Sequence, residues 1–330
     1  MCTGGPEGRA AGNIFHALAI ACCGTIFIKS ATTKRVYASW GLPMTSQLKT
    51  FLLLALLSGL ILSIGAATGG QDGLVIAGIF ALVMNVGSYW FSDTIVLKAY
   101  KAKILEPEES PMLHGIVQEL ADRAGVPMPR IAVIPEDAPN AFATGRDPKH
   151  AVVAVTSGIM RLLSPEELRG VLAHEMGHVT NRDILVQTVA SVLATVVMYL
   201  SHMAHFAAIF GGRRNNEGGG GGIGSLLLAI LAPIAASLIQ FAISRSREYM
   251  ADAKGAELSG SPLALASALS KLDGYSKRIP MQNATPATES MFIVSPFSGG
   301  GVTSLFATHP PIPERIARLQ QMARSGKYNA

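Results

Sequence analysis

Ser164-Pro-Glu-Glu-Leu-Arg-Gly-Val-Leu-Ala-His-Glu-Met-Gly-His178 is written as a helix that carries a metal site. Ser164 can cap its amino end, Pro165 fits the first helical position, and Glu167 completes a capping box. Leu168, Val171 and Leu172 give the helix an apolar face. Residues four apart share one face of a helix, so His174 and His178 can grip one ion together. Glu175 lies beside the first ligand, where it can take a proton from the attacking water. Two imidazoles in tetrahedral geometry point to one Zn2+ per chain, although cobalt and manganese bind the same groups.

Two histidines leave a catalytic zinc one protein ligand short. A His-x-x-Gly-x-x-His continuation needs Gly at 181 and His at 184; Asn181 and Ile184 stand there, which excludes the metzincin pattern. The best third ligand is Glu248, within Ser246-Arg-Glu-Tyr-Met-Ala-Asp252 on a helix emerging from the last apolar run. Asp252 follows four residues on, where it can orient a ligand histidine by accepting its other ring N–H. The alternative for Glu248 is a solvated helix face next to basic residues. Leu272-Asp-Gly274 offers Asp273 as a rival ligand, as in the intramembrane site-2 proteases. There the metal motif lies in lipid, whereas Glu166, Glu167, Arg169, Arg182 and Asp183 surround the motif here, charges too costly for a bilayer.

The rest of the 330-residue chain is unusually apolar, 49% hydrophobic and only 15% charged, against roughly a quarter charged in ordinary soluble domains. The net charge of +5 is modest, and the basic residues gather beside apolar runs. That pattern fits a membrane surface and not a nucleic-acid groove. The three cysteines, Cys2, Cys22 and Cys23, offer no disulfide framework and no zinc-finger spacing.

Residues 1–43 read as an upstream extension, with Met44 as a fresh translation start. A signal peptide is the alternative, and intact-mass measurement separates the two. Phe51 to Ala67 and Leu74 to Phe91 each approach the roughly 20 apolar residues that cross a bilayer. The Thr68–Gly73 link makes them a hairpin within residues 44–97, with Tyr89 and Trp90 suited to the interfacial belt. Lys49 before the hairpin and Lys98, Lys101 and Lys103 after it place both outer ends in the cytoplasm.

Residues 98–183 form the first part of a soluble domain: a helix over Ser110–Ala124, strands at Arg130–Ile134 and His150–Val155, and the metal-site helix. Ile184 to Phe210 and Ile223 to Ile243 form a second apolar hairpin within 184–243, joined by a Gly-rich loop carrying Arg213 and Arg214. Those arginines run against the charge rule, so packing near the membrane face competes with crossing. Residues 244–330 complete the catalytic domain, ending on a helix over Pro313–Ala323 with Arg315 and Arg318 on its polar side. The fold class expected is an α-helical membrane protein with four transmembrane helices and a mostly α, zincin-like (α+β) cytoplasmic domain.

Two amino-terminal spans, Pro139-Asn-Ala-Phe-Ala143, His-Glu-Met-Gly-His, Asn181-Arg-Asp183, a second apolar hairpin, Ser-Arg-Glu-Tyr-Met-Ala-Asp and His309-Pro-Pro follow in this order. The combination resembles the HtpX-type membrane zinc endopeptidases, relatives of the CAAX prenyl endopeptidases, over about Met44 to Leu319. The resemblance implies a stress-linked protease of the bacterial inner membrane that degrades misfolded membrane proteins from the cytoplasmic side. It also implies the ligand pattern His174, His178 and Glu248, with Glu175 as base and Asp252 behind. His309, before two prolines and matching the family's late His-Pro, is the candidate donor to the tetrahedral oxyanion; a loop or capping role is the alternative. Arg315 is a weaker candidate, otherwise an exposed helix charge.

For substrate, the strand Ala151 to Val155 can present an edge to an extended peptide, with Ala151 and Val153 in contact and Asn140 assisting. Asp183 can tie down the end of the active-site helix. His202 and His205, three apart on an apolar span, fit a packing role better than a second metal pair. A non-catalytic zinc-binding scaffold or chaperone is the competing function, and an intact Glu175 argues against it. A transporter would need more polar residues on its spans than Asn85, His202, His205 and Gln240. The partners implied are polypeptides and the lipid bilayer, not nucleic acid.

Overall fold

The computed structural model describes residues 46–210, 245–276, 278–279, 281, 284–285, 288–295 and 309–326. The extension 1–43 and the apolar arm Ile223 to Ile243 lie outside the described residues, as do the side chains of His202 and His205. α1 (Ser46–Trp90) is interrupted at Gly70, whose φ of 57° and ψ of −133° leave the helical region, a conformation open to glycine because it lacks a Cβ. The chain doubles back there: Asn85 Nδ2 donates to Ser58 Oγ at 2.7 Å, and Gly65 and Gly73 approach so closely that neither has room for a side chain. The Thr68–Gly73 link therefore does make a hairpin. Among the described residues, only Gly69–Trp90 is long and apolar enough to cross a membrane; Leu48–Ser63 and Ile184–Met198 are shorter apolar helices.

The next elements are α2 (Ser92–Ala99), β1 (Lys103–Ile104), α3 (Pro111–Ala124), β2 (Arg130–Ile134), β3 (Ala141–Thr144) and β4 (Val152–Thr156). α4 (Ser157–Leu162), α5 (Pro165–Thr180), α6 (Ile184–Phe210), α7 (Arg245–Ser259), α8 (Pro262–Ser276) and α9 (Ile312–Arg324) complete the described chain. The sheet order is β1-β2-β4-β3. β2 and β4 run parallel, from Arg130 opposite Val152 to Ile134 opposite Thr156. β3 runs antiparallel to β4, with Phe142 opposite Ala154 and Ala143 opposite Val153.

This register corrects one expectation. β4 is paired on both sides, so Ala151 and Val153 present no free edge to a peptide; Ala151 O accepts from Arg130 N–H as well. The outer strands of the sheet are β1 and β3. Both faces of the sheet are covered, which is why β4 is apolar at nearly every position. Ile131, Ala143, Val153 and Val155 join a core with α3, α5 and α8. Ala132, Phe142, Val152 and Ala154 face Val96, Tyr100, Val192 and Phe292.

α5 starts as its sequence specifies. Glu167 N–H donates to Ser164 Oγ at 3.3 Å and Ser164 N–H to Glu167 Oε2 at 2.9 Å, closing the capping box. Three glycines then let backbones meet. A Cβ on Gly170 would lie 2.8 Å from Leu265 N, one on Gly177 3.1 Å from Ala251 Cα, and one on Gly255 2.9 Å from His174 Cα. α5 is thereby pressed against α8 at one end and α7 at the other.

Candidate active site

Because α7 crosses α5 at Gly177 and Gly255, one turn of each helix faces the other, and the facing turns carry His174, His178 and Glu248. Their ligand atoms all lie within 4.8 Å of one another, and all three residues are buried. His174 Nε2 is 3.7 Å from Glu248 Oε2, and His178 Nε2 is 3.5 Å from Glu248 Oε1. The two rings are 4.9 Å apart and nearly perpendicular, so their ring nitrogens converge on the carboxylate from different directions. Glu248 Oε2 is buried without a hydrogen bond. Burying a carboxylate oxygen unsatisfied is expensive, and a cation between it and the two imidazoles removes that cost. Two nitrogens and a carboxylate oxygen are a zinc donor set that leaves a position for water; these residues fit the metal.

Behind the ligands stands a second layer of charge. His174 Nδ1 is 2.9 Å from Asp252 Oδ1. Arg315 grips the same carboxylate with both prongs, Nε to Oδ2 at 2.9 Å and Nη2 to Oδ1 at 2.7 Å, and its Nη1 donates to Ile293 O at 3.0 Å. Arg315 is fully buried and lies 3.8 Å from Glu248 Oε2. The exposed helix charge expected at this position is therefore corrected: Arg315 faces inward from α9 and ties α7, the Ile293 segment and the metal site together. Arg318 does stay on the outer face, in contact with Glu314 and over the Tyr249 ring. On the other side, His178 Nδ1 is 3.7 Å from Asp183 Oδ2, and Arg247 Nε is 3.4 Å from Asp183 Oδ1.

The electrostatics separate the two histidines. Burial drives the pKa of His174 down to about 4, because Asp252 only partly offsets desolvation and Arg315. His178 rises to about 9: burial lowers it, but Asp183, Glu248 and Glu175 together outweigh that. The pocket thus favours positive charge at the His178 ring, where a proton and a metal ion compete. Glu175 is raised to about 7, chiefly by burial, with Glu248 adding and the His178 charge and the Ala143 backbone N–H opposing. Burial pushes Asp252 up as well, but Arg315 holds it at about 2.

His309 Nδ1 approaches Glu248 Oε2 to 3.2 Å, so the late His-Pro element is at the site. Asn140 is buried, its amide donating to Val294 O at 3.0 Å while its Oδ1 accepts from Ala141 N–H; it fastens β3 to the Ile293–Val294 segment. Asp273 lies on α8 and takes no part in the metal cluster. His114 bonds the Ser110 carbonyl and His150 the Asp147 carboxylate, both local contacts.

The model of peptidase family M48 matches residues 107–323. A protein named "Protease HtpX homolog" from Syntrophobacter fumaroxidans is 56% identical over 282 residues, 84% of this chain and all of the relative. Relatives of the same name from Pyrococcus furiosus and Ralstonia pickettii are 53% and 50% identical, covering 83% and 87% of this chain and 95% and 100% of their own lengths. Among solved structures, Ste24p of S. mikatae matches 83% of this chain and 65% of its own, at 23% identity and a TM-score of 0.47. The chain belongs to peptidase family M48: it is an HtpX protease homologue, a zinc metallopeptidase whose metal site is His174, His178 and Glu248.

Proposed function

We propose that this M48 zinc peptidase is embedded in a bacterial inner membrane and cuts misfolded or damaged membrane proteins at the cytoplasmic face, as part of stress-linked quality control. The observation that carries the hydrolytic reading is Glu175, buried on the same helix as both zinc-binding histidines and next to His174, where a carboxylate can accept a proton and return it. Bound zinc supplies a Lewis acid that makes water nucleophilic near neutrality. Glu175 takes the proton from the attacking water and passes it to the leaving amine. Asp252, fixed by Arg315, accepts the Nδ1 proton of His174, which leaves Nε2 on the Glu248 side as the nitrogen that would hold the metal. Asp183 plays the same positioning part for His178. His309 is the donor for the developing oxyanion. The peptide approaches along the outer edge of β3 at Ala143, whose N–H faces Glu175.

The membrane reading rests on exposure. Phe51, Leu56, Ile76, Ile79, Leu82 and Val83 of α1 are large, apolar and uncovered, a surface far more apolar than water tolerates. The hairpin over 44–97 and the apolar stretch 184–243 divide one catalytic domain into halves, 98–183 and 244–330. The close crossing of α5 with α7 supports that division, since each half brings part of one site. Basic Lys98, Lys101 and Lys103 behind the first hairpin support a cytoplasmic domain.

The test uses full-length protein purified in detergent with chelator, then reloaded with zinc, with casein and a destabilised membrane protein as substrates. Wild type should cut only with metal, and Glu175→Gln should bind zinc yet lose roughly 10²–10⁴-fold in rate. Zinc-loaded wild type that cuts neither substrate would leave a metal-binding scaffold as the better reading.

A further inference from the structure

A cavity of about 340 Å³ opens between the second arm of α1, α2 and α6, lined by Met84, Gly87, Ile95, Tyr100, Val192 and Thr195 among others. Its size falls in the range of ligand pockets, roughly 300–1,000 Å³. Its wall is almost wholly apolar. The polar groups at its inner end are satisfied within the protein: Tyr100 Oη bonds Thr288 Oγ1, and Ser191 Oγ bonds Ser290 Oγ. Nothing in it asks for a polar ligand.

Its position identifies the occupant. One wall belongs to Gly69–Trp90, the apolar helix whose outer face carries exposed Ile79 and Leu82. The Arg146 guanidinium stacks on Trp90, and Arg130 pairs with Asp93 at 2.6 Å, so the catalytic domain begins one turn beyond the cavity. On the membrane reading above, the cavity lies where the membrane face meets the domain, and the medium reaching it from the α1 side is hydrocarbon. A flat protein surface would not need such a recess, and water gains nothing in it.

We infer that this cavity binds a single acyl chain from the bilayer, resting on the membrane reading above. Thr288 at its floor begins the segment that runs through Ile293 to Ala141 and Arg315, so the bound chain packs against the support of the active site.

The experiment places the full chain in nanodiscs containing a phospholipid with a diazirine in its acyl tail, or in a parallel arm a diazirine fatty acid, and maps adducts by mass spectrometry. Adducts at Met84 or Val192 in either arm support the inference, and the arm that labels names the source. Gly87→Leu is the discriminating variant, since a side chain there meets open space and leucine favours helix over glycine. It should cut cavity labelling several-fold while leaving adducts on exposed Ile79 and Leu82 unchanged; Thr195→Leu, from the opposite wall, should act alike. Labelling of the outer face without the cavity, or cavity labelling indifferent to both variants, overturns the inference. So does displacement of the lipid adducts by a polypeptide substrate, which makes the recess a substrate pocket. Failure to label Ile79 and Leu82 at all would instead strike the membrane reading itself.

Discussion

α5 and α1 invert each other. α5 carries Glu167, His174, Glu175 and His178, and all four are buried. α1 is built largely of leucine, isoleucine, valine and alanine, yet Ile76 is 68% exposed and Leu82 65%. Burial of charge in one region and exposure of hydrocarbon in the other follow from two different surroundings. Around α5 the protein itself is the solvent: Asp252, Arg315, Glu248 and Asp183 supply to the histidines what water would otherwise supply. Around α1 no protein covers the exposed side chains, and on the membrane reading proposed above their neighbour is lipid. The lesson is that "inside" has two meanings in this molecule, and each substitution below asks which one applies.

The largest stability effect is expected where buried charge is left unpaired. Arg315→Met strips Asp252 of its bidentate partner inside the protein and should cost about 3–5 kcal/mol, read as a lower thermal midpoint in detergent. A change inside measurement error would mean that the arginine is solvated and α5's surroundings are ordinary.

Leu82→Asp tests the opposite surface. At a bilayer-facing position it should cost about 2.5–3.5 kcal/mol in membrane insertion, seen as a smaller membrane fraction and faster turnover in cells. On a water-facing helix the same change would be nearly silent. Gly255→Ala then probes how α5 and α7 are held: its methyl group meets His174 backbone at 2.9 Å. Overpacking of that kind costs about 1–3 kcal/mol, and zinc affinity should fall with it in a chelator competition.

The smallest effect concerns the start of α5. Burial raises the pKa of Glu167, but Lys271, the Ser164 N–H and Ser267 together hold it at about 2, against an ordinary 4.5. A depressed folded-state value means that its contribution is complete above about pH 4.5 and is lost as pH falls through about 2. Glu167→Gln should therefore lower stability by about 1 kcal/mol at pH 7, and the gap between variant and wild type should close in acid. A constant gap down to pH 2 would deny Glu167 that role.

How far the sequence carried these readings depends on whether a residue's role is local. The cap at Ser164, the spacing of His174 and His178, and the turn at Gly70 are all set within a few residues, and each was legible. Glu248 and Asp252 were found by asking what a two-histidine zinc lacks. Arg315 was not, because on α9 it occupies the polar stripe with Arg318, and only packing against α7 decides which of the two turns inward. The free edge expected at Ala151 to Val155 fails for a similar reason. Ala-Phe-Ala-Thr144 is too short and too poor in β-branched residues to announce an edge strand. The unbroken apolar run of β4 was nevertheless a usable signal, since covered central strands read that way. Gly255 shows no sign in its own segment; its meaning lies in the backbone of His174 opposite.

The most direct test is zinc K-edge absorption on the purified full chain. The account predicts one zinc bound by two imidazole nitrogens and a carboxylate oxygen, with distances of roughly 2.0–2.2 Å. That signal should persist in Glu175→Gln and vanish in Glu248→Ala. A chain that binds no stoichiometric zinc, or whose spectrum is unchanged by Glu248→Ala, would contradict the site described here.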